Sequence, residues 1–579
     1  MTLCFPYGAG MMPMKFGAAA CVLVAGSAVV AAGCGDSGGR GDDSEVTGNV
    51  SVSVSVGSIT NMTVAGTTSP DGPTSAGSGG VTEGGTGTSE GVTSQASDGP
   101  KFDLGEQPMS DLGVMDGPII PTTCAEAASG KSTVGCKFYA VDMDAHDSVE
   151  TSQYAIGVAN VQLAGMANVT IETKEGGVWQ VVGGPTAVGP LQLFTFNLPD
   201  RHQDDTGLRV GGAYRVTADV PVVAYQFNPV DGASSYLSDA AMLYPAASLD
   251  TVNHVTAWTS MMDNTNGFQH SYATVIATVD GTMVTIDPKT VTAGGAGVPQ
   301  GAPGAPFMVA MQEGDVLNVA VQSLGTSMTG TKVNSNADHP VAVFAGQECA
   351  LIPAAVCCCD HMEEQLAGVR LWGKSFIAAR MPVRNPGAPE QTLWQIYAAE
   401  NGTTVKINYD PGVTGIPAPQ FVLNQGEVSE MYVSGPPGEE GDFEVIADKP
   451  IAVYGYMVGA QNFGSSIGDP AMVAMAPNEQ FLPRYVVLVP GTWINDIAVV
   501  TRPAGAQILL DGVAIPDASF NPVAASGFEV ARVPVPDGVH VFDGGVEPFS
   551  VIIVGYDEYD SYAYLGGTGT GKINPNPPG

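Results

Sequence analysis

The chain has 579 residues, with 21 Lys and Arg against 58 Asp and Glu and a formal net charge of −37. A balance that acidic argues against nucleic acid, whose phosphates need a basic face, and against direct docking on anionic lipid. The length provides several domains' worth of core.

In chain order, the first element is a targeting signal. Lys15 supplies a small positive region, and an apolar run of Ala, Gly and Val extends from Phe16 to Gly33, ending at Cys34. Its composition and place suit a signal peptide over residues 1–33 rather than a membrane span. The end, "AAGC", resembles the bacterial lipobox, in which small residues precede a Cys that is lipidated. Cys34 is therefore the expected lipidation site, and several acyl chains on one residue give stable anchoring. Residues 34–100 are Gly, Ser, Thr and Asp with few large apolar side chains. Such a segment cannot bury enough surface to offset its ordering entropy. It reads as a disordered tether of about 65 residues with a mean reach of roughly 40–50 Å. The expected location is a bacterial cell envelope, lipid-anchored at the outer membrane or cell surface, with the anchor as the chain's one membrane contact.

Residues 101–152 read as an extended entry segment carrying Cys124 and Cys136. From 153 to 567, strand signals dominate: Val, Ile, Thr, Tyr and Phe in short alternating runs between Gly, Pro, Asn and Asp. The pattern repeats. "ADVPVVAYQF" begins at Ala218, "ADHPVAVFAGQE" at Ala337 and "ADKPIAVYGY" at Ala447, so Pro221, Pro340 and Pro450 fall 119 and 110 residues apart. A strand–turn–strand precedes each, with Asp280-Gly281 and Asn401-Gly402 as hairpin signals. A degenerate fourth pair starts at Asp496 and Pro548. The period suits a sandwich-sized module; two propeller blades per period would also fit. The expected fold is all-β, about four related sandwich-like units of roughly 110 residues packed into one head, followed by a flexible tail over 568–579.

With the repeats laid out, the head resembles the IgGFc-binding protein N-terminal domain family. The resemblance is carried by "ADHPVAVFAGQECALIPAAVCCCDHMEEQL…WGKSF" (Ala337 to Phe376), with its C-D-H-x-x-E-Q block. It extends through "GTTVKI", "ADKPIAVYGY", "GDPAMVAMAPNEQF" (Gly468 to Phe481) and "SYAYLGG" (Ser561 to Gly567). It implies an extracellular, non-enzymatic module for binding or adhesion, with an unknown protein or glycan as partner. It brings no catalytic motif, and no catalytic residue, metal ligand or cofactor is expected.

Of 9 Cys, six follow Cys34: Cys124, Cys136, Cys349, Cys357, Cys358 and Cys359. An even number in an exported head suggests disulfides. Cys124 and Cys136 are isolated from the rest and are expected to pair. The family pattern implies Cys349 with Cys359, leaving Cys357 and Cys358 to bond to each other or to re-partner. In this reading Asp360 and His361 bond to backbone, and Glu363 and Glu364 open a short helical turn. A zinc site at Cys357, Cys359 and His361 lacks the usual ligand spacing. A thiol nucleophile with His361 as base puts neighbours where they rarely face each other. "GSSIG" (Gly464 to Gly468) matches a nucleophile elbow at Ser466, but Pro470 opposes the helix it needs. "DMDAHD" offers Asp142, Asp144 and Asp147 to Ca²⁺ or simply a solvated turn. "GGTGTGKI" (Gly566 to Ile573) lacks the Ser or Thr of a P-loop. Trp258, Trp372, Trp394 and Trp493 suit sandwich cores better than sugar sites. Besides binding or adhesion, the sequence allows a structural envelope component or, more remotely, a hydrolase using Ser466 or the Cys357–His361 stretch.

Overall fold

The computed structural model describes residues 120–578 except 231–236, 264, 266, 355, 357, 389 and 438. The signal, Cys34, the tether and Cys357 lie outside the described residues. Everything described belongs to one compact unit, Phe102–Gly579.

The head is all-β: four antiparallel sandwiches made by one repeated path. In the second repeat an entry strand, Val252–His254, lies in an outer sheet. The chain then runs through Ser271–Ala277 (inner sheet), Thr282–Asp287 and Phe307–Met311 (outer), Val316–Ala320 (inner) and Lys332–Ser335 (outer). It returns as Val341–Ala350 and ends as Asp360–Gln365, both inner. The third repeat follows the same path from Ser375–Ala378 to Met472–Ala474, and the fourth from Arg484–Val489 to Asp560–Leu565. In the first repeat Tyr214–Asn228 is one long strand; its first half pairs in the outer sheet and its second in the inner.

This path accounts for the repeated motifs. The A-D-x-P sequence is where the chain crosses from outer to inner sheet. In two repeats its Asp also pins the outer sheet: Asp219 accepts from the Asn168 N–H (2.8 Å) and Asp448 from the Thr404 N–H (2.8 Å). The Asp280-Gly281 and Asn401-Gly402 turns are crossovers too. The strands on either side lie in different sheets, so the hairpins their sequences signal do not form. Burial follows the same division. Outer strands alternate, as in Thr282–Asp287, because one face meets water. Inner strands such as Ser271–Ala277 and Thr392–Ala398 are buried at every residue. One face packs on the partner sheet and the other on the next repeat: Ala273 and Val275 belong to one core, Tyr272 and Ile276 to the other.

Three boundaries differ from the sequence expectation. Gly135–Ala140, in the expected entry segment, pairs with the first repeat's long strand and is that repeat's entry strand. Glu363 and Glu364 lie in a strand, not a helical turn. The tail expected to be flexible is laid against the head. Thr568 and Thr570 exchange backbone hydrogen bonds with Thr133 and Lys131, joining the fourth repeat to the start of the first, and Asn574 bonds to Arg370.

In the inner sheets an aromatic ring covers a glycine of the paired strand: Tyr272 over Gly346 and Trp394 over Gly455. A Cβ at Gly346 would enter the Tyr272 ring, whereas one at Gly455 would sit 3.1 Å from Trp394. Gly346→Ala is expected to cost about 2–3 kcal/mol of unfolding free energy. Gly455→Ala is expected to cost about 1 kcal/mol or less. Urea unfolding of the two variants should rank them in that order.

Candidate functional site

Each repeat ends in a hairpin. The last long inner strand turns at a tip and returns as a short strand: Asp239–Met242, Asp360–Gln365, Met472–Ala474 and Asp560–Leu565. These four returning strands meet at the centre of the head in cyclic order, first against second, second against third, third against fourth and fourth against first. Each brings an Asp at its start: Asp239, Asp360, Asp469 (just ahead of its strand) and Asp560. All four are fully buried.

The four aspartates tie the repeats together. Asp239 accepts from the Glu363 N–H of the second repeat (3.1 Å). Asp360 accepts from the Ser561 N–H (3.3 Å). Asp560 takes the Ser238 N–H (3.2 Å), the Ser238 hydroxyl (2.9 Å) and Trp493 Nε1–H (3.0 Å). Asp469 accepts from the Ala460 N–H (3.2 Å), and its own N–H donates to the Ser561 hydroxyl of the fourth repeat (3.0 Å). The second repeat adds Glu363, which accepts from Gln226 Nε2–H (2.8 Å), and Glu364, which accepts from the Ala474 N–H (3.2 Å).

The electrostatics follow from burial. Desolvation, followed by the charges of Asp560, Asp469 and Asp239, pushes Asp360 well above the ordinary carboxylate range. Burial likewise raises Asp239 and Glu363, lifts Asp469 to about 7 and lifts Glu364 and Asp560 to about 8. Burial drives His361 down to about 3, so its ring is neutral and 4.0 Å from Glu363. Asp360 Oδ1, Glu363 Oε1, Asp469 Oδ2 and both His361 ring nitrogens have no hydrogen-bond partner.

The tips leave the head at the Asp end of the central strands. The Gly459 N–H bonds to the Ile352 carbonyl (2.8 Å), Tyr559 N–H to Ser466 (2.8 Å) and Gly468 N–H to Asp557 (2.8 Å), so neighbouring tips touch. They present Ala354, Gln461, Asn462, Ile467 and Glu558 to solvent. The other end of the centre is covered: the linkers at Val369–Leu371 and Asn478–Gln480 meet there, and residues 568–574 cross them. One end of the central axis is thus sealed by the tail, and the other offers a face built from loops.

The cysteines lie at this face. Cys349 and Cys359 are bonded across the second tip, with Cα atoms 5.1 Å apart. Cys358 is also disulfide-bonded. Cys124 and Cys136 are bonded away from it, at the first repeat's entry. Ser466 sits in the third tip, where a one-turn helix at Ala460–Phe463 precedes it and a strand, Met472–Ala474, follows, the reverse of an elbow. Asp142 accepts from the Arg201 N–H (2.9 Å) and Asp144 from the Asp205 N–H (3.1 Å), each serving a loop. Among the described residues no three His, Cys, Asp or Glu side chains group to hold a metal ion. Trp258, Trp372, Trp394 and Trp493 are all buried.

Sequence reasoning missed the central carboxyls, yet a signal for them exists. An Asp recurs at one place in every repeat, in "SDAAM", "CDHMEE", "GDPAM" and "YDSYA". A family model described as IgGFc binding protein matches residues 239–555, from the first central Asp into the last long strand of the fourth repeat. No curated protein and no solved structure matches the chain.

The Cys349–Cys359 bond closes a separation of 10 residues. A Cys349→Ala/Cys359→Ala double variant is expected to lose about 2–3 kcal/mol of stability. Limited proteolysis should then cut first between residues 351 and 358.

Proposed function

This chain belongs to the IgGFc-binding protein family, and we propose that it is an envelope-anchored binding protein whose ligand face is the open end of the head, where the second, third and fourth tips meet. The observation that carries this reading is the difference between the two ends of the central axis. One is sealed by the tail; the other gathers loops from different repeats on a rigid all-β frame. Loops held by a rigid scaffold are where binding residues concentrate. The family is one of binding proteins, and the ligand class it supports is an extracellular protein. Cys34 is the proposed lipid anchor, and residues 34–100 the tether that carries the head away from the membrane.

Among the described residues no nucleophile with a positioned base accompanies this face. Cys359 and Cys358 are in disulfides, and the neutral His361 is enclosed in the core.

Two expected outcomes test the proposal. In binding assays against purified extracellular proteins, with immunoglobulin Fc as one member, Gln461→Arg and Glu558→Arg should weaken the saturable interaction at least about tenfold. Val422→Arg and Val513→Arg, at exposed outer-sheet positions, should leave it unchanged. The opposite ranking would place the ligand on the outer sheets. For the anchor, labelled fatty acid should enter the wild-type chain and not Cys34→Ser, which should partition into the aqueous phase of a detergent extraction. Equal labelling of both would remove Cys34 from that role.

A further inference from the structure

We infer that the four central strands form a proton-dependent latch: their carboxyls hold the repeats and the tips together while neutral, and losing those protons loosens the tip end. The geometry is six carboxyl groups, Asp239, Asp360, Glu363, Glu364, Asp469 and Asp560, converging from all four repeats with no side chain of the group exposed. Among the described residues no Lys or Arg is ion-paired with any of them, and their one histidine contact is the neutral His361.

The surroundings offer little compensation. Tyr154 and Tyr272 face Glu363, with Asp142 beyond them. Tyr244, Tyr454 and Tyr456 face Glu364. Trp493 and Ser238 face Asp560. Arg384 acts on Asp469, but it is paired with Glu390 at 2.9 Å. Like charges brought together in a dry site disfavour each other's ionisation, so the groups cannot all be charged at once. Asp360, Glu363, Glu364 and Asp469 each accept from a single donor and gain most from staying protonated.

The sign of the effect is set by the direction of the shifts. Each acid binds its proton more tightly folded than unfolded, so its contribution is complete below the ordinary carboxylate range. It is lost as pH rises, through about 7 for Asp469 and about 8 for Glu364 and Asp560. The loss is local. Asp360, Asp469 and Asp560 each stand immediately after a tip and bond across to another repeat, Asp469 through its own N–H to the Ser561 hydroxyl. The outer sheets have no part in it. The latch stands on these contacts alone; only its consequence for a ligand, weaker binding in mildly alkaline medium, rests on the proposed tip face.

The test is thermal melting of the full chain between pH 6 and pH 9, with hydrogen exchange followed by peptide. Exposed carboxylates are already charged across this range and the lysines still are, so surface charge changes little above pH 7.5. The wild-type midpoint is expected to fall by roughly 3–6 °C over this range. Exchange should rise in residues 351–366 and 457–476 and stay constant in outer strands such as 403–409. Asp360→Asn and Glu364→Gln, which copy the protonated acids, should melt like the wild type at pH 6 and fall by a smaller amount at pH 9. A wild-type midpoint that is flat or rises with pH overturns the latch, whatever the variants do. So does exchange that rises equally in inner and outer strands, or amide variants that fail to fold at pH 6. If the pH profile holds while a tip-bound ligand shows no pH dependence, the latch stands and the tip-face reading fails.

Discussion

The head depends on burying polar strand ends without cations to meet them. Four sandwiches packed around one axis must place something where their last strands converge. That position is shut off on every side by inner sheets already buried on both faces. Each repeat places an Asp there. An isolated buried carboxylate would be severely unfavourable, and even a neutral carboxyl needs partners. The partners include backbone N–H groups of other repeats, those of Glu363 and Ser561 among them. The starts of the central strands are therefore stitched by side chain to backbone, one repeat to the next. Apolar residues could fill the same volume, but they could not accept those N–H groups, so the Asp supplies both cohesion and register.

The rest of the architecture follows from that arrangement. Because each inner sheet faces its own partner on one side and another repeat on the other, its strands lose the polar alternation expected of a half-solvated sheet. Close packing across two faces also explains the Tyr272–Gly346 and Trp394–Gly455 pairs. A large ring fills the interface and a missing Cβ makes room for it. The outer sheets escape these demands, and they carry the exposed apolar residues Met283, Met308, Val422 and Val513 as isolated positions.

Much of this was legible in the sequence, and the rest failed for identifiable reasons. The repeats, their number, the sandwich size and the all-β class follow from A-D-x-P spacing and strand composition. The shorter entry strands, Val252–His254 and Ser375–Ala378, escaped because three or four residues have no periodicity to read. The Asp-Gly and Asn-Gly turns signal hairpins, yet here they link two sheets; a left-handed glycine serves either geometry, and Gly281 and Gly402 both adopt it. The Gly-rich tail looked free because its side chains are small. Its order comes from backbone hydrogen bonds to Lys131, Thr133 and Arg370, which composition does not reveal. The central strand of the second repeat was the hardest. Asp360 and His361 read as part of a stapled loop and Glu363 and Glu364 as the start of a short helical turn, and local sequence gives no hint that the other repeats enclose them.

That strand also offers a reason for where the cysteines lie. The central strand of the first repeat is Asp-Ala-Ala-Met and that of the third is Met-Val-Ala after Asp469, each with one buried acid. The second, Asp-His-Met-Glu-Glu-Gln, buries three acids and a histidine in six residues. Its desolvation cost is the largest of the four, and five of its polar atoms find no hydrogen-bond partner. Its tip is the one closed by Cys349 and Cys359, a bond that removes unfolded-state freedom from the segment leading into the strand. The least favourable strand to bury is thus the one whose approach is covalently restrained. The same restraint fixes the second tip on the open end of the head, so cohesion at the centre and presentation at the face are served by one loop.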